Sequence, residues 1–336
     1  MFSVIYKNVF MWLTAAIMLG SVIVIATLGV RFGLDFSGGS LLEVSYTEAP
    51  SPAELETAIG VLEWGSVSVR STEASNDRTG VLIRTRDLTA AERTVLESTV
   101  AALGADMTVE RFTSVGPVIG DELKDKAVWA IAGVALIIIL YVAYAFAGIG
   151  KPVSSWVYGG ITILVLIHDI LIPTALMSIL GLAIGAEIDV LFVMALLAVL
   201  GYSVNDTIVV FDRVRENLKA NRTEHKEIIK EVGQTDREEI TYTLDKPFAD
   251  IVGQAVDQSL ARSINTSLTT MAVLIALFFL GGSLTQTFAL ILLAGVLAGT
   301  YSSLCIASPL LVTYAEYLER KSVAAETSSN PAHPQV

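Results

Sequence analysis

From Ser263 to Ala315 the chain reads SINTSLTTMAVLIALFFLGGSLTQTFALILLAGVLAGTYSSLCIASPLLVTYA, without one Asp, Glu, Lys or Arg. A bilayer core takes about 20 mainly apolar residues per helix. The run is therefore too long for one span, and Gly281-Gly282-Ser283 supplies a break that leaves two, 264–281 and 286–314. Working outward, stretches of the same kind lie at 10–30, 127–147, 153–176 and 189–211. The sequence thus predicts an α-helical polytopic membrane protein with six transmembrane helices. Composition agrees, since 17% of the 336 residues are charged, against roughly 25% in soluble domains. The first span is longer than the roughly 7–15 apolar residues of a secretory leader and is followed by Arg31-Phe32-Gly33 rather than a small-residue cleavage site, so it reads as an uncleaved anchor.

Basic residues in short connections set the orientation. Lys7 precedes the first span, Lys151 lies between the second and third, and Arg320-Lys321 follow the sixth. The connection 212–262 carries Arg213, Arg215, Lys219 and Arg222, whereas 177–188 and 281–285 hold no Lys or Arg. The expectation is that residues 1–9, 212–262 and the tail 315–336 are cytoplasmic, with 322–336 disordered because it is rich in Ser, Ala, Asn and Pro. The long loop 31–126 then lies outside. It alternates like a strand over Leu41–Thr47, starts a helix at Ser51-Pro52 that runs to about Leu62, and gives strands at Val67–Ser71 and Val81–Arg86. A second helix from Thr89 to about Leu103 and a strand over Met107–Val115 complete it. The order β-α-β-β-α-β is that of a small α+β ferredoxin-like extracytoplasmic domain.

Composition also excludes. A formal charge of −12 argues against nucleic acid, which selects clustered Lys and Arg. The single Cys305 forms no internal disulfide, and three histidines support no metal site. Gly38-Gly39 lacks the phosphate-loop pattern, and no nucleophile stands with a base and orienter. The expectation is no covalent catalysis, no cofactor and no metal.

An ionisable residue inside a span is functional by default, since insertion of its charge costs about 2.5–3.5 kcal/mol. Asp206, beside Asn205, lies about 9 Å inside its helix counting back from Asp212 at 1.5 Å per residue. It either holds a neighbouring helix permanently or gains and loses a proton. Arg262 heads the fifth span and either snorkels to the interface or pairs with Asp206. Behind it, Asn265 and Thr269 share one helical face with Thr266 and Thr270 beside it, a face suited to hydrated helix contacts. His168-Asp169 sit well inside the third span, one turn before Pro173, either in a proton relay or as a tie between helices. Gly295 and Gly299 form a small-xxx-small packing pair. No internal repeat is visible, so any pseudo-symmetric second half must be another chain.

Four segments together carry a family resemblance: Gly33-Leu34-Asp35-Phe36-Ser37-Gly38-Gly39; Val115-Gly116-Pro117 with Gly120-Asp121-Glu122-Leu123; Gly201-Tyr202-Ser203-Val204-Asn205-Asp206-Thr207 running on to Asp212-Arg213; and Arg262-Ser263-Ile264-Asn265-Thr266-Ser267. In this order they resemble the SecF subunits of bacterial SecDF protein-export complexes, in the resistance-nodulation-division superfamily. The resemblance implies an inner-membrane protein paired with a SecD-like subunit, whose six helices complete a twelve-helix unit. It implies use of the proton motive force to help preprotein chains leave the SecYEG channel after SecA has pushed them. The family's intramembrane Asp and Arg fall on Asp206 and Arg262. The segment 213–262 is longer than the resemblance leads one to expect, with an acidic insert near Glu231–Asp245. The rival readings are a proton-coupled small-solute transporter subunit and a purely structural subunit of the translocon.

Overall fold

The computed structural model describes residues 2–73, 78–104, 106–147, 152–229 and 237–329. Lys151 and part of the acidic insert lie outside the described residues. The chain divides into two compact units, one comprising Met1–Val30, Ile131–Ala186 and Leu191–Val336, the other Arg31–Ala130 with Glu187–Val190.

The first unit is helical. After the single turn α1 (Phe2–Ile5) come α2 (Lys7–Leu28), α6 (Pro117–Ala145), α7 (Ser155–Ala183), α8 (Val190–Ala220) and α9 (Phe248–Leu280), of which α6 up to Ala130 and the first residue of α8 belong to the other unit. The last apolar segment is composite, with α10 (Ser283–Ser302), a π-helical turn at Ser303–Ala307 and α11 (Ser308–Ser329). Among the described residues six helical segments are long and apolar enough to cross a membrane, and the break before the last falls at Gly281-Gly282 as expected. The π turn has a cause in sequence: Pro309 has no N–H to give to the preceding turn, so the helix widens ahead of it.

Two expectations need correction. The segment 212–262 is not a plain connection. Helix α8 continues to Ala220, a hairpin pairs β5 (Arg222–Ile229) with β6 (Arg237–Leu244), and α9 begins at Phe248. The helices overrun their apolar stretches because their ends stay amphipathic. Val214 and Leu218, one turn apart on α8, bury themselves in one cluster with Ile251, Val252 and Ala255 of α9. The tail is likewise helical through Ser329 rather than disordered from residue 322, as the good helix formers Ala324, Ala325 and Glu326 allow. Residues 330–336 lie outside the described residues.

Burial is uneven along the unit. In the spans of α2 and α6 only 6% of the residues are buried, against 44%, 50% and 61% in those of α7, α8 and the last segment. Near the ends of α6, α7 and α8, Phe146 stacks on Tyr158 at 5.4 Å and Phe211 meets both rings edge-on. The glycine pair behaves as expected. A Cβ at Gly295 would run into Val199, and one at Gly299 would lie 3.0 Å from the Ser203 Cβ, so both glycines let α10 lie close on α8.

The second unit holds the one-turn helix α3 (Leu34–Ser37), then β1 (Gly39–Tyr46), α4 (Pro52–Gly60), β2 (Ser68–Glu73), β3 (Thr79–Thr85), α5 (Ala90–Ala101) and β4 (Thr108–Val115). The sheet runs β2-β3-β1-β4, with each neighbouring pair antiparallel. Both long helices start where the sequence places them. Ser51 with Glu54, and Thr89 with Glu92, form reciprocal capping boxes, and Pro52 follows the first cap. The alternating faces of β1 and β3 deliver Leu42, Val44, Val81 and Ile83 to a core shared with Leu55, Ile59, Leu96 and Val100. Gly38 and Gly39 have positive φ (66° and 115°). A Cβ on Gly38 would sit 2.9 Å from the Pro117 Cα, and one on Gly39 would sit 2.5 Å from the Thr85 carbonyl oxygen. The pair is thus a backbone hinge into β1, held against β3 and the start of α6.

Candidate functional site

The polar side chains of the helical unit fall into two groups. In the first, His168 and Asp169 on α7 are wholly buried. His168 Nδ1 lies 2.8 Å from Asp169 Oδ1. The other carboxylate oxygen accepts hydrogen bonds from Ser203 of α8 and from Ser302 of α10, the latter at 2.9 Å. One carboxylate therefore ties three helices together, and both serines were missed in the sequence. As single hydroxyls among many in the chain, they carry no signal of their own in the sequence. His168 Nε2 is buried without a hydrogen-bond partner among the described residues.

Asp206 belongs to the second group. It lies on α8 less than one turn after Ser203 and is 3% exposed. Its Oδ2 is buried and has no hydrogen-bond partner among the described residues. Burying an acceptor this way is costly for a neutral acid and more so for a carboxylate, so the site is unlike that of Asp169. Next to it, the buried Thr207 donates to Ser303 Oγ at 3.4 Å, which brings the π turn to the same place. Asn205, about 100° round the helix from Asp206, is exposed.

Arg262 is not hydrogen-bonded to Asp206 but is near enough for its charge to act on it. It is exposed and lines a cavity of about 310 Å³ with Tyr141, Ile208, Asp212, Arg213 and Arg215. The structure thus brings Arg262 to the charged end of α8 rather than onto the carboxylate. The polar face behind it divides. Asn265, Thr266 and Thr269 are exposed, and the hydroxyls of Thr266 and Thr269 donate back to carbonyls of their own helix at 2.9–3.1 Å. On the inner side Ser267, buried, shares a 2.6 Å hydrogen bond with Thr300 of α10 and accepts from Tyr202 at 3.1 Å. Sequence reading singled out the exposed threonines and passed over this inward serine, which fastens α9 to its neighbours.

Chemically, the arrangement offers one buried carboxylate with a free oxygen, a cation beyond it, and an exposed hydroxyl-lined helix face.

Comparison with known proteins agrees with this architecture. The family described as "Protein export membrane protein SecD/SecF, C-terminal" matches residues 95–236 and 234–317, and the "SecD/SecF GG Motif" matches residues 23–50. The chain is 34% identical over 291 residues to the protein translocase subunit SecF of Thermobaculum terrenum, covering 84% of each. It is 35% identical over 285 residues to that of Anaerolinea thermophila, again covering 84% of each. The crystal structure of SecDF, a translocon-associated membrane protein from Thermus thermophilus, superposes with a TM-score of 0.73 at 30% identity. That match covers 93% of this chain but only 38% of the SecDF chain. SecDF in its super-membrane-facing form gives a TM-score of 0.62, with 95% of this chain and 40% of that one covered. With six helices fit for a bilayer and these relatives, the chain is a multi-pass inner-membrane protein belonging to the SecF family of protein translocase subunits.

Proposed function

We propose that this chain is the smaller half of a proton-driven protein-export motor, acting with a SecD-like subunit and without covalent chemistry of its own. The observation that carries this reading is the buried, partnerless Oδ2 of Asp206. A carboxylate so placed prefers one helix arrangement when protonated and another when ionised, because only the ionised form needs a cation or water. Arg262 is the cation on hand, and the exposed Asn265, Thr266 and Thr269 face suits a hydrated path shared with the partner's helices. The partner supplies the remaining length of a SecDF assembly, of which this chain matches about two-fifths.

In this reading both termini are cytoplasmic and the sheet unit is outside, as a ferredoxin-like base beside the emerging preprotein; the strand order β2-β3-β1-β4 supports that fold. The SecYEG channel and SecA deliver the chain. One elementary charge moving through 100 mV releases about 2.3 kcal/mol, enough to bias a two-state element about fifty-fold.

The test is export of a preprotein into membrane vesicles holding this chain with its partner, with and without a proton gradient. Asp206→Asn and Arg262→Met should each remove the gradient-dependent part of export while leaving the subunits assembled. Full gradient-dependent export in both variants sinks the mechanism. A purely structural subunit predicts that outcome.

A further inference from the structure

The segment before α8 is held by residues far from it in sequence. Glu187–Val190 belong to the same compact unit as the sheet. Ile188 N–H donates to the Arg31 carbonyl and Gly33 N–H donates to the Ile188 carbonyl, both at 2.7 Å, so that Phe32 and Ile188 make a parallel β-bridge. Gly33 lies close here: a Cβ would sit 3.1 Å from the Ile188 carbonyl oxygen, a tight contact that a shift of a few tenths of an ångström relieves. Arg84, on β3, sends Nη1 to both carboxylate oxygens of Glu187 at 3.0 Å and Nη2 to Ser37 Oγ. Asp35 Oδ2 accepts from Val190 N–H at 3.1 Å. Val190 is the first residue of α8, and its N–H has no carbonyl within the helix to reach, so the carboxylate caps it and favours the positive end of the helix dipole.

Four attachments on one four-residue segment are more than a connection needs. A connecting loop at a sheet's edge ordinarily moves independently of what it joins, whereas this one is bound through backbone, ion pair and cap together. The helix that starts there carries Asp206 on the same unbroken α-helix. A continuous helix thus joins the clasped segment to the carboxylate, a secondary element of the kind that can carry coupling.

We propose that Asp35, Arg84 and Glu187 are positioning residues that form a permanent clasp, making the start of α8 a part of the sheet unit. Through it, motion of that unit and the state of Asp206 become one coordinate. The clasp stands on its own geometry, while its consequence for export rests on the function proposed above. It also gives Gly-Leu-Asp-Phe-Ser-Gly-Gly a mechanical reason. Gly33 admits the Ile188 backbone, Asp35 caps α8, Ser37 orients Arg84, and Gly38-Gly39 turn the chain into the sheet.

The experiment uses the full chain with its partner in vesicles and reads two quantities. Hydrogen exchange of the peptide spanning 185–192 reports the clasp itself, and gradient-dependent export reports its use. Arg84→Glu or Glu187→Arg alone should speed exchange there by about tenfold, as loss of a charge-assisted hydrogen bond implies. Each should also lower gradient-dependent export. The exchanged pair Arg84→Glu with Glu187→Arg should bring both readings back to within about twofold of the parent. Asp35→Asn, which keeps an acceptor oxygen, should fall between the parent and Asp35→Ala.

A lock provides the opposite test. A Cβ built on Gly33 lies 3.5 Å from the Asp189 Cβ, within the usual disulfide range of about 3.5–4.5 Å. Gly33→Cys with Asp189→Cys, in a Cys305→Ala background, should export equally well oxidised and reduced, because the clasp never opens. Three results overturn the proposal: unchanged exchange in the single reversals, faster exchange with undiminished export, or export that stops on oxidation. Asp206→Asn, run alongside, separates the two readings. Undiminished export in that variant defeats the proton mechanism, while the exchange measurement still decides whether the clasp exists.

Discussion

The helix starts of the sheet unit and the helix contacts of the helical unit are settled by different means. At the helix starts, polar side chains act on backbone close to them in sequence. Ser51 meets the N–H of Glu54, Thr89 meets that of Glu92, and each glutamate returns to its cap. In the helical unit the decisive contacts join residues far apart, as when Asp169 accepts from Ser203 and Ser302, or Ser267 meets Thr300. Local rules are written in a few adjacent letters. A cross-helix tie exists only once the helices have been placed.

The comparison also holds between two carboxylates of the helical unit. Asp169 has both oxygens occupied and Asp206 has one with nothing on it. A satisfied buried carboxylate is a fastener, and an unsatisfied one is a strain that protonation relieves. Asp169→Ala should therefore have the largest effect on stability. It orphans His168 Nδ1 and the Ser203 hydroxyl and leaves Ser302 only its bond to the Gly299 carbonyl, at roughly 3–5 kcal/mol by analogy with breaking a buried pair. The check is thermal unfolding of the purified protein in detergent, with the amount of assembled protein in the membrane as a second reading. Asp206→Asn should not lower the melting temperature, since no bond to Oδ2 is lost. If the two variants melt alike, the distinction between fastener and site is gone.

A smaller effect probes the local rules of the other unit. Ser51→Ala and Thr89→Ala each remove one half of a capping box and should each cost about 1 kcal/mol. The loss should appear as faster hydrogen exchange confined to 52–60 or to 90–101 respectively. Were either change to loosen the whole sheet, the picture of independent local caps would need replacing.

These contrasts explain what could be read in advance. Six spans, the break at Gly281-Gly282 and the strand and helix order of 31–126 were legible because apolar length, alternation and capping residues are local signals. The hairpin over 222–244 was not, since that stretch of sequence is crowded with charges of both signs. The overrun of α8 and α9 was hidden for a related reason. Val214, Leu218, Ile251 and Ala255 look like sparse apolar residues in charged surroundings until the two helix ends are set side by side. Of the site, Asp206 and Asp169 stood out by the rarity of charge inside spans. Which of them was occupied depended on Ser203 and Ser302, hydroxyls too common to single out. For the expected pairing of Asp206 with Arg262, the structure has the two near one another without a hydrogen bond, and Arg262 also lines a cavity at the charged end of α8.

The smallest expected effect sharpens the local side of the contrast. Glu92 closes the second capping box and also meets Arg86. The Arg86 hydrogen bond chiefly, then the Thr89 N–H and hydroxyl, hold its carboxyl well below the ordinary 4.5, at about 2. A depressed pKa means that the folded form favours the ionised carboxylate. The stabilisation is then fully present above pH 4.5 and fades as the pH falls from there through about 2. Because both side chains remain in contact with water, its size is small. Arg86 lies 5.7 Å from the Trp64 ring centroid, which supplies a reporter. In a chain whose Trp12, Trp129 and Trp156 are replaced by Phe, Trp64 fluorescence should titrate with a midpoint near 2, and Glu92→Gln should abolish that transition. A midpoint near 4.5 would mean that Arg86 is not held by Glu92, and the cap would then rest on Thr89 alone.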